Sequence, residues 1–293
     1  MPKQRIDSLY PNYFAFPAVI IYTVFFVMPI LAAFVLSFTD WHIMRLFSPN
    51  FIGFENFIYL FKDTNFILAL KNTFIFAFFT MVFKVLFGLL LALALVQPLK
   101  TKNILRTIFY MPAVLSIVIA GVLFQALFKS NGFLNMFLTA IGLERWVTDW
   151  IGDPRTALFT TIVVEIWRWS GFTMAILIAG LQNISADYYE SAQIDGASSW
   201  QRFLYITLPL LRPALTITIV MHTIGGLKVF EQVFVITAGG PGFASQVLGT
   251  YIFTAFAQGR FGRSTAMGLI LFILVFAVSY VVNALLKRKE VEA

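Results

Sequence analysis

The sequence predicts an all-α, polytopic membrane helix bundle, and three observations support that prediction. The 293 residues are 59% hydrophobic and only 12% charged, a composition far from that of a soluble globular domain. The mean hydropathy is +0.84, and several apolar stretches exceed the roughly 20 residues that a helix needs to cross a bilayer. Backbone groups inside the membrane must be hydrogen-bonded internally, so such long apolar stretches favour helices.

Six apolar stretches stand out, and each is interpreted as one membrane-spanning helix. Their approximate bounds are residues 13–38, 72–96, 104–128, 157–181, 213–236 and 265–286. The first stretch is too long for the core of a signal peptide, so it is expected to be a retained span. Because no repeat or low-complexity tract divides the chain, we expect a single transmembrane domain over residues 1–293.

Basic residues near the ends of the spans predict the orientation. Six spans place both termini on the same side of the membrane. The segments on that side carry Lys3 and Arg5, then Lys100, Lys102 and Arg106, then Lys287, Arg288 and Lys289. Because lysine and arginine in short loops favour the cytoplasmic face, we expect both termini to be cytoplasmic. This orientation accounts for the net charge of +7, so nucleic acid is not an expected partner.

The residue inventory argues against several kinds of active site. The chain contains no GxxxxGK[ST] loop, so it is not expected to hydrolyse ATP itself. It has no cysteine and no His or carboxylate cluster with metal-ligand spacing, so no metal site is expected. Ser116 and Ser170 lack a nearby base or a nucleophile-elbow motif. We therefore expect no enzyme activity and no cofactor bound by this chain.

The loop between the fourth and fifth spans is the only long loop on the predicted cytoplasmic side. Ser185 or Asp187 can cap a helix over residues 188–194, and Gly196 then interrupts it. A second helix is predicted over residues 198–205. The apolar residues of that second helix, too few to cross a membrane, are Phe203, Leu204 and Ile206. The pattern predicts a helix, a bend and a helix that can dock into a groove of another protein.

The same loop, about residues 182–212, resembles a known motif. Glu190-Ser-Ala, a glycine six positions later, and the later Ile206, Leu208 and Pro209 resemble the EAA loop of permease subunits of binding-protein-dependent ABC importers. Ser191 stands where that family usually has alanine, which is a change between two small side chains. In that family the loop inserts into a cleft of the ATP-hydrolysing subunit. The resemblance therefore implies ATPase coupling by Glu190, Ser191, Ala192, Asp195, Gly196, Ile206, Leu208 and Pro209.

Other stretches resemble the carbohydrate-uptake branch of that family, typified by the maltose permease subunits. They are MPAVLS from Met111, ITAGGP from Ile236 and FGRSTAMGLILF from Phe261. The resemblance implies that the chain forms half of the translocation pathway for a sugar or oligosaccharide, in a bacterial or archaeal cytoplasmic (inner) membrane. It also implies a second, unlike permease subunit, two ATP-binding subunits that hold ATP and Mg, and an extracytoplasmic solute-binding protein.

Ionisable residues inside the predicted spans are costly and therefore informative. Glu165 and Arg168 are three positions apart, as are Lys228 and Glu231, so each pair is expected to neutralise itself on one helix face. Lys84 is the fifth such residue. A structural role and a role in the pathway both stay open for these charges.

The functional interpretation places the substrate pathway between the fourth and fifth spans. Its candidate residues are Trp167, Trp169, Ser170, Thr173, Lys228, Phe230 and Glu231. Aromatic faces stack on pyranose rings, and polar groups at fixed positions bind hydroxyl groups. Gly225 and Gly226 allow either close helix packing or a break in the fifth span.

Three alternatives to a sugar importer stay open at this point. The first is an ABC importer for another solute, such as glycerol phosphate, whose anionic group would use Lys228 or Lys84. The second is a secondary transporter, which would need coupling-ion carboxylates and inverted repeats that the sequence does not display. The third is a membrane scaffold without transport activity, which a docking loop alone would permit.

Overall fold

The structure is a computed structural model that describes residues 15–287. Within that range the secondary structure is helical, apart from an isolated antiparallel bridge between Thr39 and Phe51. The predicted cytoplasmic charges Lys3, Arg5, Arg288 and Lys289, like residues 13 and 14 of the first predicted span, lie outside the described residues.

The helices are numbered here in chain order, leaving out isolated 3₁₀ turns. They are α1 (Phe16–Leu36), α2 (Glu55–Lys62), α3 (Thr64–Leu95), α4 (Lys102–Val114), α5 (Ile117–Phe128), α6 (Phe133–Ala140), α7 (Ala157–Gln182), α8 (Ala186–Ile194), α9 (Ser199–Leu210), α10 (Arg212–Leu227), α11 (Glu231–Thr237), α12 (Leu248–Ala257) and α13 (Phe261–Lys287).

Five segments of the described chain are long and apolar enough to cross a membrane. They are α1, α3, α5 together with α6, α7 and α13. A sixth is obtained if α9 and α10, which meet at an angle of 65°, are counted as one span. The prediction of an all-α polytopic protein is therefore confirmed, with five or six candidate spans where the sequence predicts six.

Two of the predicted spans are broken in the structure. The third, residues 104–128, divides into α4 and α5 because Leu115 and Ser116 adopt extended backbone conformations. Pro112 lies in the last turn of α4 and has no N–H to donate, which weakens the helix there. The fifth, residues 213–236, divides into α10 and α11, with Lys228, Val229 and Phe230 between them.

The two adjacent glycines of α10 have different surroundings. A Cβ built on Gly226 would lie 2.6 Å from the Cα of Ala77, so this glycine lets α10 pack closely against α3. A Cβ built on Gly225 would meet nothing within 4 Å. Both predicted outcomes for this glycine pair, close packing and a nearby helix break, are thus found in the same segment.

The described residues form two compact units, and the first comprises residues 15–62 together with Ile252–Ile270. Within it, the buried Asn56 side chain donates hydrogen bonds to the carbonyl oxygens of Ser37 and Thr39, both at 2.9 Å. The Arg263 guanidinium lies 3.6 Å from the centre of the Tyr59 ring. These contacts fasten α2 to the segment that follows α1 and to the start of α13.

The second unit comprises Asp63–Tyr251 and residues 271–287. Within it both α7 and α10 pack against α3. Its buried apolar side chains form two clusters. One consists of Ala92, Leu95, Met174, Leu177, Ile178, Leu181 and Leu211, and the other of Phe76, Leu158, Ile162, Val229, Val233 and Val247. The functional candidates all lie in this unit.

Candidate functional site

A cavity of about 490 Å³ opens in the second unit at the break between α10 and α11. Its size is within the range of small-molecule binding sites. Its polar and charged lining residues are Lys84, Glu165, Arg168, His222, Lys228, Glu231 and Gln232, and the others are Ile117, Trp169, Phe172, Met221, Gly225, Val229 and Phe230. The cavity thus combines aromatic surfaces with charged, amide and imidazole groups.

The helix break itself produces part of this cavity. Phe230 has φ −139° and ψ −66°, which is outside helical geometry, and α11 resumes at Glu231. Non-helical backbone within a membrane protein is tolerated where it is covered by protein or lines a cavity. Broken helices of this kind are a common way of building solute sites inside membrane proteins.

A buried ion pair supports the cavity wall. Lys84 Nζ on α3 lies 2.7 Å from Glu165 Oε1 on α7, and the two side chains are only 3% and 10% exposed. The predicted pair between Glu165 and Arg168 is therefore wrong. Glu165 instead binds a residue 81 positions away, because helix packing places α3 and α7 side by side.

Arg168 donates a hydrogen bond at the break between α4 and α5. Its Nη2 donates to the carbonyl oxygen of Leu115 at 3.3 Å, and its guanidinium lies 5.3 Å from the Trp169 ring. Leu115 directly follows α4, at a helix end where carbonyl groups have lost their helical donors. The charge predicted to neutralise Glu165 is thus used to stabilise a helix end.

The predicted pair between Lys228 and Glu231 is also wrong. Lys228 follows the last residue of α10, whereas Glu231 begins α11, so the two do not share a helix face. Among residues 15–287, no ion pair joins them. Both side chains are exposed along the cavity.

Thr173 and His222 form a second buried contact beside the ion pair. Thr173 Oγ1 lies 2.6 Å from His222 Nε2 and 3.0 Å from the carbonyl oxygen of Trp169. This contact links α7 to α10 and uses the hydroxyl group of a predicted pathway residue. No group of three or more His, Asp or Glu side chains able to hold a metal ion occurs in the described part of the chain.

The structure brings four of the seven pathway candidates together at the cavity. These are Trp169, Lys228, Phe230 and Glu231. Trp167 instead packs edge-on against Phe124, with ring centres 4.9 Å apart, and Ser170 Oγ donates to the carbonyl oxygen of Ile166 at 2.6 Å. Sequence reasoning missed Gln232, although an amide directly after Glu231 in an apolar run was a detectable signal.

The segment from α8 to α9 adopts the helix, bend and helix predicted for it. Ser185 Oγ accepts a hydrogen bond from the Asp187 N–H, which caps α8. Gly196 has φ +77°, a conformation that glycine adopts at little cost. Ser198 and Gln201 form a reciprocal capping box at the start of α9.

This segment exposes large apolar side chains that differ from the predicted patch. Ile194, Tyr205 and Trp200 are 87%, 77% and 65% exposed. The predicted patch residues Phe203, Leu204 and Ile206 are half-buried instead. A π-helical turn over Phe203–Thr207 changes the rotation of successive side chains, which a regular helical wheel does not anticipate.

The residues that resemble the EAA motif fall into two groups by exposure. Glu190, Ser191, Asp195 and Gly196 are exposed, whereas Ala192, Ile206, Leu208 and Pro209 are half-buried. The Tyr189 hydroxyl group lies 3.0 Å from Thr207 Oγ1 and so connects α8 to the π-helical turn of α9. The bend is therefore held by a hydrogen bond between its two arms.

Comparison with known proteins identifies the family of the chain. Residues 84–291 match the family described as binding-protein-dependent transport system inner membrane component. The chain is 34% identical over 272 residues to the lactose transport system permease protein LacF of Rhizobium radiobacter, covering 91% of this chain and 90% of that one. It is 32% identical over 268 residues to the trehalose/maltose transport system permease protein MalF of Thermococcus litoralis, covering 90% and 89%.

A solved structure supports the same assignment. The crystal structure of a bacterial ABC transporter involved in the import of the acidic polysaccharide alginate matches with a TM-score of 0.84, 28% identity and coverage of 96% of both chains. The chain therefore belongs to the family of binding-protein-dependent transport system inner membrane components, which are the membrane-spanning permease subunits of ABC importers.

Proposed function

We propose that this chain forms half of the translocation pathway for a sugar or oligosaccharide. The observation that carries the proposal is the cavity at the break between α10 and α11, which joins aromatic walls to hydrogen-bonding groups. Trp169, Phe172 and Phe230 offer flat surfaces for the apolar faces of a sugar ring. Relatives named for lactose and for trehalose and maltose point to the same class of solute.

Lys228 would also suit an alternative class of solute, one that carries an anionic group. Lys84 is already paired with Glu165 at 2.7 Å, so it is not free to bind an anion. Lys228 lines the cavity without an ion pair to Glu231 in the described chain. An anionic solute, such as glycerol phosphate or an acidic saccharide, would use this lysine.

The segment from α8 to α9 is the proposed contact with a separate ATP-hydrolysing subunit, which would hold ATP and Mg. Exposed apolar side chains on short helices are expensive in water and are typical of protein contact surfaces. Ile194, Trp200 and Tyr205 provide such a surface next to the motif residues Glu190 and Gly196. With both termini cytoplasmic, this segment would face the cytoplasm, where the ATPase resides.

Three further partners belong to the proposal. A second, unlike permease subunit would complete the pathway, and a second ATPase subunit would accompany it. An extracytoplasmic solute-binding protein would deliver the sugar. In support, one similar solved structure is a bacterial alginate ABC transporter in complex with alginate pentasaccharide-bound periplasmic protein.

Uptake measurements on the assembled complex test the solute class. The complex with its partner subunits is reconstituted in vesicles and supplied with ¹⁴C-labelled lactose, maltose, trehalose and glycerol 3-phosphate. We expect ATP-driven accumulation of at least one of the saccharides. Accumulation of glycerol 3-phosphate alone would contradict the saccharide proposal.

Two substitutions test the position of the pathway. Trp169→Ala and Lys228→Ala should change the preference among the four solutes while leaving the complex assembled. Tyr280→Ala, an exposed aromatic residue of α13 that does not line the cavity, is the control and should leave the preference unchanged. Unaltered preference in both cavity variants would remove the support for this pathway.

A further inference from the structure

Gln232 is a buried amide whose hydrogen bonds are not made within the chain. It is the second residue of α11, lines the cavity and is only 2% exposed. Neither Nε2 nor Oε1 has a hydrogen-bond partner within the described residues. The large majority of buried polar side-chain atoms in folded proteins do have one.

Gln125 is another amide that contacts α11, and its nitrogen does find hydrogen-bond acceptors. It lies on α5, and its Nε2 donates to the carbonyl oxygens of Val235 at 2.7 Å and Ile236 at 3.1 Å. Gln125 therefore helps to fasten α5 to α11. Gln232 is itself a residue of α11, but its amide makes no such hydrogen bond. Its polar group therefore contributes no hydrogen bond to the stability of the fold.

We propose that the Gln232 carboxamide is a substrate-binding group that recognises two adjacent, uncharged hydroxyl groups of the solute. This inference rests on the proposed saccharide function and specifies how the solute is recognised. An amide donates through nitrogen and accepts through oxygen at the same time, and a pair of hydroxyl groups provides both complements. A carboxylate or phosphate only accepts, so it would leave Oε1 unmet, and an ammonium group only donates.

The position of Gln232 fits this role. It follows directly on the non-helical residues Lys228–Phe230, which line the same cavity. Because its amide atoms are covered, the unbranched side chain has to turn about its own bonds toward the cavity when the sugar enters. Trp169 and Phe230 would then hold the ring faces while the amide binds the ring edge.

An ordered water is the competing explanation for the amide. Buried waters commonly satisfy polar groups that protein atoms leave unpaired. In that case Gln232 would be a structural residue, and removing its amide would leave the water unpaired and lower stability. The two explanations therefore predict opposite signs for the change in stability.

The test compares Gln232→Met with the matched control Gln125→Met in the complete complex. Methionine keeps the length of the side chain and removes both polar groups. For Gln232→Met we expect the melting temperature to rise by about 2 °C. We expect the KM for whichever of lactose, maltose and trehalose the complex transports to rise about tenfold. For Gln125→Met we expect a lower melting temperature and an unchanged KM.

Each other outcome has a defined meaning. An unchanged KM in Gln232→Met, or a fall in its melting temperature, would overturn the role of Gln232 and leave the saccharide function in place. If the wild-type complex imports none of the three sugars, the saccharide function fails first, and the inference about Gln232 fails with it.

Discussion

The wall of the cavity and the segment from α8 to α9 differ in whether their side chains find partners within the chain. In the cavity wall, several charged and polar side chains find partners within the chain, as the 2.7 Å contact of Lys84 with Glu165 and the 2.6 Å contact of Thr173 with His222 show, whereas the Gln232 amide does not. In the segment from α8 to α9, Ile194, Trp200 and Tyr205 stay largely exposed. The first region thus makes polar contacts within the chain, whereas the second leaves large apolar side chains uncovered, as the proposed contact with another protein requires.

This difference matches the two functions proposed for the chain. The proposed solute site benefits from groups that are held in place before the solute arrives, and the Lys84–Glu165 and Thr173–His222 contacts fix part of its surroundings in this way. A coupling surface must instead keep apolar groups available until its partner covers them. Substitutions in the two regions should therefore affect different measurements.

The largest effect is expected in the cavity wall. Glu165→Leu leaves the Lys84 ammonium buried and unpaired, which should lower the stability of the complex by about 3–5 kcal/mol. Thermal unfolding of the purified complex measures this change. The double variant Lys84→Met with Glu165→Leu should recover much of the loss, because no unpaired charge then stays buried. Equal stability of the single and double variants would contradict a buried ion pair at this site.

The next effect concerns the exposed surface. Ile194→Asp places a charge where an apolar side chain is 87% exposed, so the fold should be little affected. Contact with the ATPase subunit should weaken, and we expect at least a tenfold lower recovery of that subunit when the permease is purified. Gln193→Asp, a change at the neighbouring exposed position, is the control for the added charge. Full recovery of the ATPase subunit with Ile194→Asp would show that this surface does not bind the ATPase.

Gly196 offers a smaller and more specific test. An added Cβ would meet nothing within 4 Å, so the cost of Gly196→Ala comes from its φ of +77° alone, about 1 kcal/mol. Gly196→Asn should cost less, because asparagine tolerates this conformation better. The two variants should therefore rank alanine below asparagine in the local stability of α8, measured by hydrogen exchange. The reverse order would show that side-chain contacts, and not the backbone, decide the position.

The smallest effect is expected at the start of α9. Ser198→Ala removes the hydroxyl group that accepts from the Gln201 N–H, which should destabilise the end of the helix by about 1 kcal/mol. Hydrogen exchange over the first turn of α9 should become faster, while the cavity wall stays unaffected. Ser198→Thr retains the cap and should behave like the wild type. Equal exchange in Ser198→Ala would mean that tertiary contacts alone hold this turn.

The sequence predicts the local features of both regions well. The sequence predicts the fourth span at residues 157–181, and α7 is Ala157–Gln182. The helix, bend and helix around Gly196 also follow from caps and a glycine, which act over a few residues. Such features depend on neighbours in the chain, so the sequence displays them directly.

Long-range contacts are where prediction from sequence failed. Glu165 pairs with Lys84 and not with Arg168, and the role of Arg168 depends on a helix break at Leu115 that hydropathy does not show. For Gln232 the sequence offers only an amide after Glu231 in an apolar run, and its burial and missing partners are properties of the folded chain. These facts depend on how α3, α4, α7 and α11 pack together, and spacing along one helix carries no information about that packing.

ATP-driven uptake in vesicles tests the central claim most directly, namely that this permease couples solute movement to a separate ATPase through the segment from α8 to α9. The complex is reconstituted with ATP enclosed, its solute-binding protein outside, and a labelled saccharide. We predict accumulation that requires ATP and is abolished by Gly196→Pro, although the variant permease still assembles in the membrane. Accumulation without ATP, or unchanged ATP-driven accumulation in Gly196→Pro, would contradict the account.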